Sequence, residues 1–374
     1  MLQTASLTLL ALLGSAVLAL SGLGSPVAVA HLVFAVGIVP LIFAAMSHFV
    51  PVLTRSGDPE RWIARLPPAA QAAGLLAVAA MLVWLPYWLL YVAVAVDLVL
   101  AAILFNWIAA RAKATLGAPH PGWRWYGAAL GCLMLALLAI LLMGFFPAFW
   151  APLRLFHLHL NTLGLVGLAA LGTLAVLMPT ALGKPDPEAA GWLRRRLWLV
   201  AGGALVVACG AAIFWPFAMP GAALLLLAGL GLIGQWVRRF GWRQLLADGV
   251  SASLLSAVCG LLLTLMAGVA HGAGMMAGRP GLSAWGAGFL LPLVSGALSQ
   301  LLPVWRWPGP IIPARAVMRQ KLAASGRWRA LFFFSAAVAF LSELNPLGAV
   351  FLGLAMALFA FGLLQAVRVL RSTR

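Results

Sequence analysis

Five stretches of this chain, residues 69–110, 123–180, 197–237, 249–305 and 328–370, are apolar almost throughout. Each is longer than a single membrane crossing requires, since about 20 residues cover the hydrocarbon core. With 64% hydrophobic and 8% charged residues, the chain has too little polar surface to wrap such runs in a soluble shell. The composition therefore defines a polytopic, all-α integral membrane protein. Proline and glycine mark where the runs fold back: Leu85-Pro86, Pro147 and Pro152, Pro216 and Pro220, Gly278-Arg279-Pro280, and Asn345-Pro346. With residues 4–24 and 28–53 added, twelve transmembrane helices are expected. The N-terminal run lacks the basic flank of a signal peptide and reads as the first crossing. Short polar loops leave one integral membrane domain over residues 1–374.

Charge tests the count independently. If the N-terminus is cytoplasmic, a twelve-helix topology puts all 24 Lys and Arg except Arg154 and Arg279 on the cytoplasmic side, as basic loops require. Both termini are then cytoplasmic, and the expected location is a bacterial inner membrane, with lipid as the surrounding partner. The net charge of +17 follows from this retention and implies no nucleic acid. Cys132, Cys209 and Cys259 sit in separate apolar runs without paired spacing, which indicates neither a disulfide framework nor a thiolate metal site.

The chain also repeats. Val39-Pro40-Leu41 through Ser47-His48-Phe49-Val50-Pro51-Val52 matches Leu291-Pro292-Leu293 through Ser299-Gln300-Leu301-Leu302-Pro303-Val304 at a constant offset of 252. Leu177-Met178-Pro179-Thr180 lies between, and setting Pro179 on Pro51 brings His159 onto His31. The prolines close the second, sixth and tenth expected helices. The reading is three pseudo-symmetric four-helix units, about 1–120, 121–245 and 246–374, an organisation that can build sites between units.

Phe156-His157-Leu158-His159-Leu160-Asn161-Thr162 carries two of only six histidines. Imidazoles in so apolar a setting require partners. Residues i and i+2 of a helix point about 200° apart, so this pair serves two flanks more readily than one metal. His31 lies about five residues into the second helix, and His157 and His159 about seven to nine into the sixth, roughly 8–13 Å below the outer surface. His271 closes the ninth helix on the same side. His48 is roughly 25 Å from His31 along the helix axis, and His120 falls in a cytoplasmic loop. Neutral imidazole is a good axial ligand for haem iron, and two from facing helices make a six-coordinate electron-transfer haem. His31 can pair with either His157 or His159. The alternative is structural: buried histidines bonded to Asn161, Thr162 or backbone carbonyls of neighbouring helices.

His157-Leu-His159-Leu-Asn-Thr-Leu-Gly164-Leu-Val-Gly167, followed by Leu171-Gly172-Thr173 and Leu177-Met178-Pro179, resembles the helix of cbb-type haem-copper oxidase catalytic subunits that carries two haem ligands. His31, Gly37 and the Pro51-Val52 ending resemble the helix supplying the other ligand of the low-spin haem. Met46-Ser-His-Phe-Val-Pro51-Val-Leu-Thr-Arg55-Ser-Gly57 is similar to a segment of the NnrS family of haem-containing membrane proteins linked to nitric oxide stress. The resemblance implies one or two haems and a role in electron transfer or the nitric-oxide and redox stress response, with a redox partner and a small gas ligand such as nitric oxide. His31 and His159 would ligate one haem, and His157 would face a second pocket holding haem or another metal. The departures are specific. The His-x-His helix is sixth rather than tenth, and the tenth carries Gln300. The three further histidines of a copper centre are missing, and the only tyrosines are Tyr87, Tyr91 and Tyr126. A full oxygen-reducing centre is therefore not expected, and no catalytic residue is assigned.

Other residues give competing readings. Asp97 falls near the middle of the fourth helix, where an ionised carboxylate is expensive and a proton-relay or polar role is the default. His271 with Met275 and Met276 offers imidazole and thioether, which suit copper, so a transporter or copper-handling protein working at the outer face is the alternative function. A membrane scaffold with purely structural histidines is a third.

Overall fold

A computed structural model describes residues 1–310 and 312–372. Arg374, assigned above to the cytoplasmic face, lies outside the described residues, as do the side chains of Arg279 and Arg371. The fold is all-helical, 85% helix, with no strand among the described residues. Among the described residues eleven helices are long and apolar enough to cross a membrane: α1 (Leu2–Ala19), α2 (Pro26–Thr54), α3 (Ile63–Met81), α4 (Leu89–Lys113), α5 (Gly122–Phe145), α6 (Pro147–Ala181), α7 (Ala189–Ile213), α8 (Trp215–Phe240), α10 (Gly249–Gly272), α11 (Pro280–Arg306) and α14 (Asn345–Val369). Between them lie the short α9 (Trp242–Ala247), α12 (Pro313–Ala323) and α13 (Gly326–Leu341). The helix expected as the eleventh crossing is α13, which has 16 residues.

The breaks fall where proline and glycine stand. Val83 and Glu343 turn the α3–α4 and α13–α14 corners at φ 61° and 58°, and Gly274 turns the α10–α11 corner at φ 75°. Pro51, Pro179 and Pro303 sit inside the last turns of α2, α6 and α11. In each of these same three helices part of the ladder widens into a π-helix, over Leu32–Ile38, Leu160–Gly167 and Gly286–Leu290. A π segment leaves carbonyls without their usual intrahelical donors. In α2 two neighbours answer them: Thr8 Oγ1 donates to Gly37 O at 2.9 Å and Gln71 Nε2 to Val36 O at 3.3 Å. Glycines let backbones close on these segments. A Cβ on Gly74 would meet the Ala35 carbonyl, one on Gly260 the Gly288 carbonyl, and one on Gly164 would lie 2.7 Å from Cys132 Cβ.

The chain divides into two compact units, residues 1–172 with 204–217, and residues 173–203 with 218–374. In the first, α3 lies between two neighbours. Ala73, Ala77 and Ala80 pack on Leu90 and Ala93 of α4, while Val78 packs with Val36 of α2 and Ala11 of α1. Small residues carry these contacts because helices in lipid gain from close packing rather than from leaving water. In the second unit α10 packs against α8, α11 and α13. There α13 forms a close hairpin with α14, with Phe340 over Gly348.

Candidate functional site

The site begins at the start of α2. Ser25 caps the helix, its Oγ accepting from Ala28 N at 3.2 Å, and Pro26 fills the first helical position, where a missing N–H costs nothing. His31 follows one turn later, immediately before the π segment. In α6 a 3-10 turn at Pro147–Phe149 starts the helix, and His157 and His159 come just before its own π segment.

All three rings are fixed through Nδ1 to a carbonyl: His31 to Val27 O at 2.8 Å, His157 to Ala136 O of α5 at 2.9 Å, and His159 to Leu155 O at 2.8 Å. A carbonyl oxygen only accepts, so Nδ1 carries the hydrogen. In a neutral ring Nε2 then bears the lone pair, the tautomer in which a histidine binds metal, with the Nδ1 bond orienting it. The Asn161 amide also touches His157, donating to its backbone carbonyl at 2.9 Å and standing 3.3 and 3.4 Å from the two ring nitrogens. A group nearly equidistant from both nitrogens is not aligned with the in-plane lone pair of Nε2.

The ring lying against His31 is that of His157, the residue the sequence assigned to a second pocket. Their centroids are 6.3 Å apart and their planes differ by 10°. Two imidazoles on opposite sides of one metal, with about 2.0–2.1 Å per metal–nitrogen bond and about 1.1 Å from each nitrogen to its ring centre, have centroids roughly 6.3 Å apart. The centroid separation equals that length, and the two rings are stacked. Among the described residues no group of three or more His, Cys, Asp or Glu could hold a metal.

The other expected residues lie elsewhere. Asp97 is buried on the α4 stripe of Leu90, Ala93, Val94, Ala101 and Leu104, and its Oδ1 has no hydrogen-bond partner. His271, in the second unit, is exposed at the end of α10; its Nδ1 bonds Met276 O at 3.0 Å, and Met275 is 79% exposed. This contact is to a Met276 backbone oxygen, not to a thioether. His48 stacks edge-on with Phe49, and His120 Nδ1 accepts from Gly122 N.

The sequence reading missed a pair of loops. Glu60 pairs with Arg111 at 2.9 Å and Glu188 with Arg238 at 2.9 Å, while Trp107 Nε1 donates to Glu60 and Gln235 Nε2 to Asp186. The signal was present: Asp58-Pro59-Glu60 recurs as Asp186-Pro187-Glu188, in the register that sets Pro179 on Pro51. The Glu60 carboxyl is held below the usual carboxylate range by its own backbone N–H first, then by the Trp107 indole, with Arg111 adding to both.

No family model matches the chain, and no curated protein matches its sequence.

Proposed function

We propose that the chain is a haem-binding redox protein of a bacterial inner membrane, with His31 and His157 as the two axial ligands of one haem. The observation supporting this is the His31–His157 pair: parallel rings at 6.3 Å, each anchored through Nδ1. Two imidazoles match the protein-supplied ligand pair of a six-coordinate haem, whose porphyrin supplies the other donors. A bis-imidazole haem exchanges single electrons. The chain's own part is to fix both ring orientations through Val27 and Ala136. His159 has the same i−4 anchor and π-helical neighbour as His31, and is the candidate ligand of a second haem or metal. Electron transfer or a nitric-oxide and redox stress role, with a redox partner, is the reading that the oxidase and NnrS resemblance adds; it does not extend to oxygen reduction.

The accompanying topology is twelve crossings in three four-helix units with both termini cytoplasmic. The matched π segments of α2, α6 and α11 support the repeat, as do the repeated ion pairs. The three-residue turn between α13 and the spanning α14 supports the twelfth crossing.

The test is a reduced-minus-oxidised spectrum of protein purified from haem-replete cells. The wild type should show Soret and alpha bands of a six-coordinate low-spin haem. His31→Ala and His157→Ala should each abolish that species, while His159→Ala should keep it. A wild type without haem bands rejects the proposal, and loss of the low-spin species in His159→Ala instead of His157→Ala reassigns the ligand.

A further inference from the structure

We propose that Arg329 holds a small monovalent inorganic anion, of the size and charge of chloride, where α10, α11 and α13 meet in the second unit. Arg329 is the fourth residue of α13 and has no exposed surface. Its Nη2 lies 3.4 Å from Ser253 Oγ and 3.3 Å from Ser299 Oγ, and its Nη1 lies 3.4 Å from Leu322 O. Nε has no partner. These contacts are long beside the roughly 2.7–2.9 Å of charge-assisted bonds. Both serines have already committed their hydrogens, Ser253 to Gly249 O at 2.8 Å and Ser299 to Ser295 O at 2.7 Å. They offer the guanidinium dipoles but no charge.

Among the described residues no carboxylate pairs with it. In the same unit Asp248 pairs with Arg319, Glu188 with Arg238, and Asp186 accepts from Gln235. Glu343 is 14 residues further along, at the other end of α13, about 21 Å away at 1.5 Å per residue. The Phe359 ring, 5.0 Å from the guanidinium carbon, and the Leu322 carbonyl in the last turn of α12 neutralise only part of the charge. An arginine does not shed its proton, and a buried ion without a counter-charge is strongly unfavourable. One solvent anion on the Nε edge removes that cost. The surrounding helices are in backbone contact: a Cβ on Gly249 would fall on Ala323 O, and one on Gly326 on Gly249 O. Complete burial of Arg329 and the single charge to be balanced favour a halide or nitrate over phosphate or an organic acid.

The experiment is equilibrium binding of radiolabelled chloride to purified full-length protein in neutral detergent, against a gluconate background. Wild type should bind one chloride saturably, with Arg329→Gln weakening it at least tenfold and Arg238→Gln, at an exposed ion pair, leaving it unchanged. Should Arg329→Gln fail to fold, crystals of wild type soaked in bromide give the second reading, an anomalous peak beside the guanidinium. Absence of saturable binding, loss of binding in Arg238→Gln instead, or a bromide-soaked crystal without that peak overturns the proposal.

Discussion

Gly74 is the residue on which the approach of α3 to the His31 helix depends. Its missing Cβ is the space that the Ala35 carbonyl occupies at the π segment next to His31. Gly74→Ala should lower the thermal unfolding midpoint in detergent, by an amount equivalent to about 1–3 kcal/mol for an overpacked site. Gly131→Ala on α5 should be neutral or stabilising, because nothing lies within 4 Å of its built Cβ, and alanine is the better helix former by up to about 1 kcal/mol. A Gly74→Ala protein as stable as wild type would mean that the two backbones do not meet there. At this scale the histidines were legible, since an imidazole in an apolar run is conspicuous. Which of His157 and His159 turns toward His31 was not. The two project about 200° apart, and the choice follows from the rotation of α6, tied by the bond from His157 to Ala136 on a different helix.

The repeated Asp-Pro-Glu loops separate two strengths of the same device. Arg111 is 15% exposed and donates to Ser56 Oγ, Gly57 O, Asp58 O and Glu60, tying together the turn that follows α2. Arg238 is 72% exposed and holds Glu188, itself 52% exposed. An exposed pair is worth about 0–1 kcal/mol, so Arg238→Ala should barely move the unfolding midpoint, whereas Arg111→Ala should lower it clearly. Because the folded carboxyl of Glu60 titrates below its unfolded value, its contribution is complete above the unfolded pKa of about 4.3 and fades as pH falls through the folded one. Unfolding midpoints measured from pH 6 down to pH 3 should show an acid-side loss in wild type that Glu60→Gln lacks. Parallel curves for the two proteins would remove Glu60 from the latch. The tripeptide was visible in the sequence, but its ion pairs join residues about 50 positions apart, which local pattern does not reveal.

Across the whole molecule the sequence located the turns well, because Pro86, Pro216, Gly278 and Pro346 act through local backbone geometry. It did not foresee the π segments, which depend on donors such as Thr8 and Gln71 reaching in from other helices. The remaining question of scale is whether α13 crosses. Its 16 residues span about 24 Å at 1.5 Å per residue, short of a hydrocarbon core of roughly 30 Å. It nonetheless packs antiparallel on α14, whose spanning segment Asn345–Val369 has 25 residues. If α13 crosses, the exposed positions Ala324 and Ser342 face opposite sides of the membrane, and the C-terminus returns to the face of the N-terminus. In a background with Cys132, Cys209 and Cys259 replaced by serine, an impermeant maleimide applied to spheroplasts should then label Ser342→Cys at once and Ala324→Cys only after permeabilisation. Equal labelling of the two would leave eleven crossings and put the termini on opposite faces. That outcome would also strand Arg368, Arg371 and Arg374 on the outer side, against the distribution of every other basic residue except Arg154 and Arg279, which is why the charge pattern and α13 stand or fall together.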